Sequence, residues 1–356
     1  MNSRINSRTN QTMTPPTVVE VAPRVKPPSL PAKLARQLAR NPEWFTVALI
    51  AVTCLIVGAI NPRFFQLATL FDLLHSATTT SLFALGTLVV LASGGIDVSF
   101  TAIAALTMYG ITKAVFAWWP DAPFALIVVT GALGGTMLGV VNGVLVHRLK
   151  APSLIVTIGT QYLYRGLLLT FIGTTFFMNI PHSMDRFGRI PLFFYHTADG
   201  LRAVLPVSVL ALVAAAVLTW WLLNRTMMGR GVYAMGGSLA IAERLGYNLR
   251  AIHLFVFGYT GLLAGIAGIL HVSNNRLANP FDLVGSELDV IAAVILGGAR
   301  ITGGTGTVGG TLLGVALVTL INSVLILTGV PSTWQKVIIG AFILIAGTLF
   351  ALQRKS

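Results

Sequence analysis

Leu91-Ala92-Ser93-Gly94-Gly95-Ile96-Asp97-Val98-Ser99 sets a double glycine and a carboxylate between two apolar runs, each long enough to cross a bilayer. Inside hydrocarbon, a broken helix exposes backbone groups that no water can satisfy, and an ionisable side chain is costly. Their presence asks for a reason, and movement of a solute across the membrane supplies one.

The composition around that stretch is that of a membrane protein. Hydrophobic residues make up 55% of the chain, charged residues 10%, and the mean hydropathy is +0.81, whereas a soluble domain carries about 25% charged residues. The 356 residues have room for on the order of ten helices of roughly 20 residues. A formal net charge of +13 raises the question of nucleic acid. The basic residues are spread between apolar runs with no aromatic-interleaved patch, so anionic lipid and the orientation rule explain them, and no nucleic-acid partner is expected. The one cysteine, Cys54, excludes an internal disulfide and a cysteine-based zinc site.

Residues 1–43 are polar, rich in Pro, Ser and Thr, with seven basic residues against two acidic. They read as a disordered basic tail on the cytosolic side. Apolar length then gives ten spans: Trp44 to Ile60, Leu70 to Ala92, Phe100 to Trp118, Phe124 to Val146, Pro152 to Phe171, Val204 to Leu223, Ile252 to His271, Glu287 to Gly298, Val308 to Leu327 and Trp334 to Leu352. The first is expected to be a retained helix rather than a removed signal peptide. The eighth is short: its ~12 residues rise about 18 Å against about 30 Å of hydrocarbon. Charge decides how to count it. With ten crossings and both termini in the cytosol, the tail, Arg148, Lys150, Arg225, Arg230, Arg244, Arg250, Arg300, Arg354 and Lys355 share the inner face, as the positive-inside rule prefers. The expected fold is therefore an all-α membrane protein of about ten transmembrane helices, some short or broken at glycine.

Two connections do more than turn the chain. One, from about Ile172 to Ala203, is external on this topology. The other, from Asn224 to Arg250, is internal and reads NRTMMGRGVYAMGGSLAIAERLGYNLR; Leu239, Ala240, Ile241, Ala242 and Leu245 have helical spacing within it. A short amphipathic helix in the cytosol lies in the lipid interface or sits in a groove on a partner.

Three segments carry a family resemblance. Ser93-Gly94-Gly95-Ile96-Asp97-Val98-Ser99, the internal loop from Gly229-Arg230-Gly231 to Gly246, and Gly285-Ser286-Glu287-Leu288-Asp289-Val290-Ile291-Ala292-Ala293 through Gly297-Gly298 occur in this order. The set resembles the membrane permease of bacterial ABC importers for simple sugars, the group of the ribose, galactofuranose and autoinducer-2 permeases. It covers nearly everything from Trp44 onward and leaves out the tail. Many members have glycine two residues after the first motif's serine; this chain has Thr101.

The resemblance implies a multi-pass protein of the bacterial inner membrane that imports a monosaccharide or similar small polyol-like solute. It implies cytosolic ATPase subunits as partners, a second permease copy or homologue, and an extracytoplasmic sugar-binding protein. ATP would be bound by the partner, with no cofactor in this chain. Gly229, Gly237, Ala242, Glu243, Arg244 and Gly246 would then belong to the ATPase-coupling segment.

The residues themselves leave alternatives open. Asp97 or Ser99 can cap the helix that follows, or Asp97 can serve as a gate. Glu287 and Asp289 are favourable negative charges at a helix start, or polar groups facing the solute route. Arg165 snorkels to the outer headgroups, or pairs with a carboxylate along the path. Asn142, Gln161 and Asn322 can bond between helices or to a passing sugar.

Other signals fail. Gly304-Thr305-Gly306-Thr307-Val308-Gly309 fits G-x-G-x-x-G, but no acidic residue follows Asp289 to hold a ribose, and it reads as a tight turn. No phosphate-binding G-x-x-x-x-G-K-[ST] occurs, no metal-ligand spacing links the six histidines, and no catalytic apparatus is visible, so the chain is not expected to be an enzyme. Two rival readings remain: an ion-coupled secondary transporter acting alone, and an ABC permease for branched-chain amino acids.

Overall fold

In the computed structural model the apolar runs become helices that end where the sequence supplies caps and breakers. Residues 42–196, 200, 202–327 and scattered positions from 334 to 344 are described. Most of the tail and most of the expected Trp334 to Leu352 span lie outside them.

The helices are α1 Pro42–Ile60, α2 Leu67–Ala92, α3 Phe100–Trp118, α4 Phe124–Leu149 and α5 Ser153–Leu167, the last continued by a wider turn, Leu168–Ile172. After the short α6 His182–Gly188 come strands β1 Pro191–His196 and β2 Arg202–Pro206. Helices α7 Val209–Arg225, α8 Met227–Gly237, α9 Leu239–Arg244, α10 Leu249–Asn275, α11 Glu287–Leu296 and α12 Val308–Leu327 complete the set.

Among the described residues six helices are long and apolar enough to cross a membrane: α1 to α5, counting the extension of α5, and α10. A seventh span is formed if α7 and α8, bent by 73° at Thr226, count as one. Thr226 holds that bend from both sides: its hydroxyl donates to Leu222 O at 2.6 Å and accepts from Gly229 N at 3.0 Å. Such a residue replaces the backbone partners that a bend in lipid removes.

Helices α2 and α10 form the centre, with 67% and 72% of their apolar windows buried, against 11% for α1 and 22% for α4. Leu82, Leu85, Leu88 and Leu91 of α2 pack with Phe100 and Ile103 of α3 and Val256 and Phe257 of α10. Helix α4 meets α10 along Gly131, Gly135, Gly139 and Gly143, spaced four apart so that they share one face. A Cβ added at Gly135 would lie 2.9 Å from Gly265 N and closer still to the Gly261 carbonyl oxygen. Small residues allow this approach, and in lipid close packing has to supply the attraction that water exclusion supplies elsewhere.

The structure departs from the all-helical expectation. β1 and β2 pair antiparallel as a hairpin, with an irregular register between Pro191 and Phe193, and β2 takes the start of the expected Val204 to Leu223 span. Phe71 near the start of α2 meets the hairpin edge-on through Phe193 and Tyr195. The expected eighth span becomes α11, ten residues long, and Gly297-Gly298 then opens a turn that leads to α12.

Replacing Gly135 by valine is expected to lower the thermal midpoint of the purified protein in detergent, because overpacking costs about 1–3 kcal/mol. Gly159, where an added Cβ meets nothing within 4 Å, should accept alanine with no such loss.

Candidate functional site

The stretch that breaks the helix between α2 and α3 is held from outside itself. Gly94 takes a left-handed φ of +83°, which glycine adopts without the penalty of a side chain. The last carbonyl of α2, Ala92 O, accepts from Gly304 N at 3.0 Å. From α5, Ser153 Oγ accepts from Ile96 N at 2.8 Å, while Thr157 Oγ1 accepts from Val98 N at 3.4 Å and donates to Ile96 O at 3.3 Å. Three backbone turns meet here, since a Cβ on Gly303 would lie 2.7 Å from Gly94 Cα and 2.8 Å from Gly236 O.

Asp97 is buried, 1% exposed. Its Oδ1 accepts from Ser99 N and from Ser99 Oγ, both at 2.7 Å. It therefore closes a turn across two residues and does not cap the helix. Ser99 sits at the N-cap of α3 with no side-chain capping bond, so the capping expectation for Ser99 also fails. Asn142 Nδ2 of α4 donates to Ser99 Oγ at 2.7 Å, and the Tyr164 hydroxyl of α5 lies 3.0 Å from Leu138 O and 3.4 Å from Asn142 Oδ1. Asp97 Oδ2 is buried with no partner among the described residues.

A second node lies two residues on, at Thr101 of α3. Glu287 opens α11 and is 6% exposed. Its Oε1 accepts from Gln161 Nε2 at 2.6 Å and from Thr101 Oγ1, and its Oε2 accepts from Gly285 N at 2.8 Å. Three donors and the positive end of α11 compensate a buried carboxylate that would otherwise be prohibitive.

The structure thus joins Asp97 to Asn142, and Gln161 to Glu287. Arg165 of α5 is half-buried with no hydrogen bond or ion pair among the described residues, and Asp289 is half-buried on α11. Sequence reasoning weighed Ser99 only as a cap, named Thr101 only as a departure from glycine, and passed over the other hydroxyls at the break and the nodes: Ser153, Thr157 and Tyr164. Only Thr101 carried a visible signal, as the departure from glycine in the resemblance.

The coupling candidates divide. Gly229 is buried in α8 against the Leu222 and Leu223 carbonyls of α7. Gly237, Glu243, Arg244 and Gly246 are exposed, and Gly246 has a φ of +82°. Ala242 is fully buried, whereas Leu239, Ile241 and Leu245 around it are exposed at 52%, 57% and 67%. Ser238 Oγ starts α9 by accepting from Ile241 N at 3.4 Å. The result is a short helix anchored by alanine with apolar side chains on its outer face.

Beyond α10, Arg189 holds Asp185 with two bonds of 2.8 and 2.9 Å and Arg276 stands 3.8 Å away. The Arg189 hydrogen bond is the main reason the Asp185 carboxyl titrates below its ordinary range. Asp282 is likewise lowered, chiefly by its 2.9 Å bond to His271 Nε2. Among the described residues no three His, Cys, Asp or Glu side chains are grouped to hold a metal.

This geometry defines a class: a multi-pass membrane protein with broken helices joined at buried polar nodes and an exposed apolar knob at one end. The family described as "Branched-chain amino acid transport system / permease component" matches residues 69–347, and the chain belongs to it. It is a transport permease of the inner membrane.

The chain is similar to the autoinducer 2 import system permease protein of Yersinia pseudotuberculosis, 34% identical over 307 residues that cover 83% of this chain and 82% of that protein. It is also similar to the ribose import permease protein of Escherichia coli K12, 33% identical over 303 residues that cover 84% and 91%. No solved structure matches it.

Thr101→Val removes one donor from Glu287, and a buried group left short of a partner costs about 1–3 kcal/mol. The variant is expected to melt earlier in detergent, while Thr101→Ser, which keeps the hydroxyl, stays near the parent. Equal melting of both variants would show that the bond contributes nothing.

Proposed function

We propose that the chain is the membrane-spanning subunit of an ATP-driven importer for a monosaccharide or similarly small polyol-like solute. It works with separate cytosolic ATPase subunits, with a second permease copy or homologue, and with an extracytoplasmic binding protein that delivers cargo. The observation that carries this is similarity over more than four fifths of the chain to relatives named for ribose and autoinducer 2 import. In this reading the chain crosses ten times with both termini in the cytosol, and ATP binds only to the partner.

The residues then take roles. Leu239, Ile241 and Leu245 enter an apolar cleft on the ATPase, with Glu243 and Arg244 at its polar rim and Gly237 and Gly246 at the ends of the docking helix. Asp97, Asn142, Gln161, Arg165, Glu287 and Asp289 belong to the helices that rearrange around the solute. Glu287 acts there through the helices it joins, since both its oxygens are engaged by protein donors, while Asp97 reaches α4 through Ser99 with Oδ1 alone. ATP binding favours one of two helix arrangements, and cargo crosses as access alternates between faces.

The family description itself names branched-chain amino acids, which gives a second reading for the cargo. Vesicles containing the permease, its ATPase and its binding protein should accumulate labelled sugar with ATP and ignore labelled leucine. Uptake of leucine instead would move the assignment to the second cargo, and ion-driven uptake by the permease alone would end the ATP-driven reading.

Ile241→Asp should preserve folding yet weaken ATPase binding by roughly 30-fold, the equivalent of about 2 kcal/mol for one apolar side chain lost from a contact. Replacing Glu243 or Arg244 should let ATP hydrolysis continue with little uptake. Both effects can be read from pull-down and from the ratio of hydrolysis to transport.

A further inference from the structure

At one end of the bundle lies a cavity of about 420 Å³ that neither buried node uses. Glu43 and Trp44 from the start of α1, Gly298 and Arg300 from the turn after α11, and Thr305 and Thr307 ahead of α12 line it. Its size falls within the range of small-ligand sites, about 300–1,000 Å³.

The lining has polar groups of both signs with capacity to spare. Arg300 makes no side-chain hydrogen bond or ion pair among the described residues. Glu43 Oε1 accepts from Thr307 Oγ1 at 2.5 Å, which leaves the other carboxylate oxygen for a further donor. Thr305 Oγ1 is buried without a partner, so a bound group able to accept or donate would complete it. An isolated anion would face Glu43 and an isolated cation would face Arg300. A ligand carrying both charges meets each with its opposite.

The neighbourhood identifies the source of such a ligand. Trp44, 59% exposed, stands in the first turn of an apolar span, at the level where amphipathic rings meet headgroups. From it, Val47, Ala51 and Leu55 continue at steps of three and four along one exposed side of α1, a track suited to acyl chains. Thr46 Oγ1 donates to Leu296 O and ties α1 to the end of α11, so an occupant would touch both the start of α1 and the turn that leads from α11 to α12.

We propose that this cavity binds the headgroup of a zwitterionic phospholipid. Arg300 and the Thr305 hydroxyl hold the phosphate, Glu43 takes the ammonium, and the acyl chains lie along α1. A primary ammonium is preferred, because Glu43 accepts hydrogen bonds that a quaternary ammonium cannot donate. The site shares no residue with the two buried nodes.

Native mass spectrometry of the full chain, released from vesicles with equal phosphatidylethanolamine, phosphatidylcholine and phosphatidylglycerol, tests this. The parent should retain phosphatidylethanolamine in preference to the other two. Arg300→Gln and Thr305→Val should each lower its retention about fivefold or more. Glu43→Gln should shift the preference toward phosphatidylglycerol. Melting in detergent identifies any variant that fails to fold, and only the folded ones are compared. Retention unchanged in all three variants, or a parent that prefers phosphatidylglycerol, overturns the proposal. Displacement of the lipid by millimolar free phosphoethanolamine would assign the cavity to a soluble phosphate ester and overturn the lipid assignment.

Discussion

Where a helix breaks inside hydrocarbon, every exposed N–H and C=O needs a partner from the protein, and the architecture follows from meeting that demand. Ala92 O is met by Gly304 N, Ile96 N by Ser153, Val98 N by Thr157, Ser99 N by Asp97, and Gly285 N by Glu287. Each of the first three partners lies far away in sequence. A bond that satisfies a local break therefore also fixes the distance between two elements, and the two broken regions become the joints of the fold.

The glycines serve the same demand from the opposite direction. Backbones have to come almost into contact before a carbonyl in one turn can be met by an amide in another. Gly236, Gly303 and Gly94 allow this at the junction of turns, and Gly135 and Gly265 allow it between α4 and α10. Helices seated this closely move as a unit, because an interface at native packing density has discrete arrangements and does not deform smoothly.

Apolar length and glycine placement made the helices and the breaks at Ser93 to Ser99 and at Gly297 legible, because both follow from local cost in lipid. The node partners were not legible. Thr101 reaches Glu287 across 186 residues, and serine and threonine are common enough in membrane helices that their type says little about which neighbour they face. The hairpin escaped for a similar reason. Pro191–His196 carries no clean alternation of apolar and polar residues, and it becomes a strand only by pairing with Arg202–Pro206 and resting on Phe71. The bend at Thr226 was hidden because threonine is not a helix breaker; it works there by bonding both helices it separates.

The proposed role of α9 gains physical content from what stands behind it. Ala242 is fully buried, so α9 cannot slide across the surface without disturbing the body of the protein. Ser238 joins it directly to α8, whose last turn holds Gly236, where an added Cβ would lie 2.5 Å from Gly304 N and closer still to Ala92 O. Displacement of α9 is thereby delivered to the junction that closes α2 and opens the turn to α3. From that turn, Ser99 and Thr101 lead into the two nodes, reaching α4 through Asn142, α5 through Gln161 and α11 through Glu287. On the proposed docking role, force applied at this one short helix needs no long-range pathway, because every transfer is a direct backbone contact or a hydrogen bond.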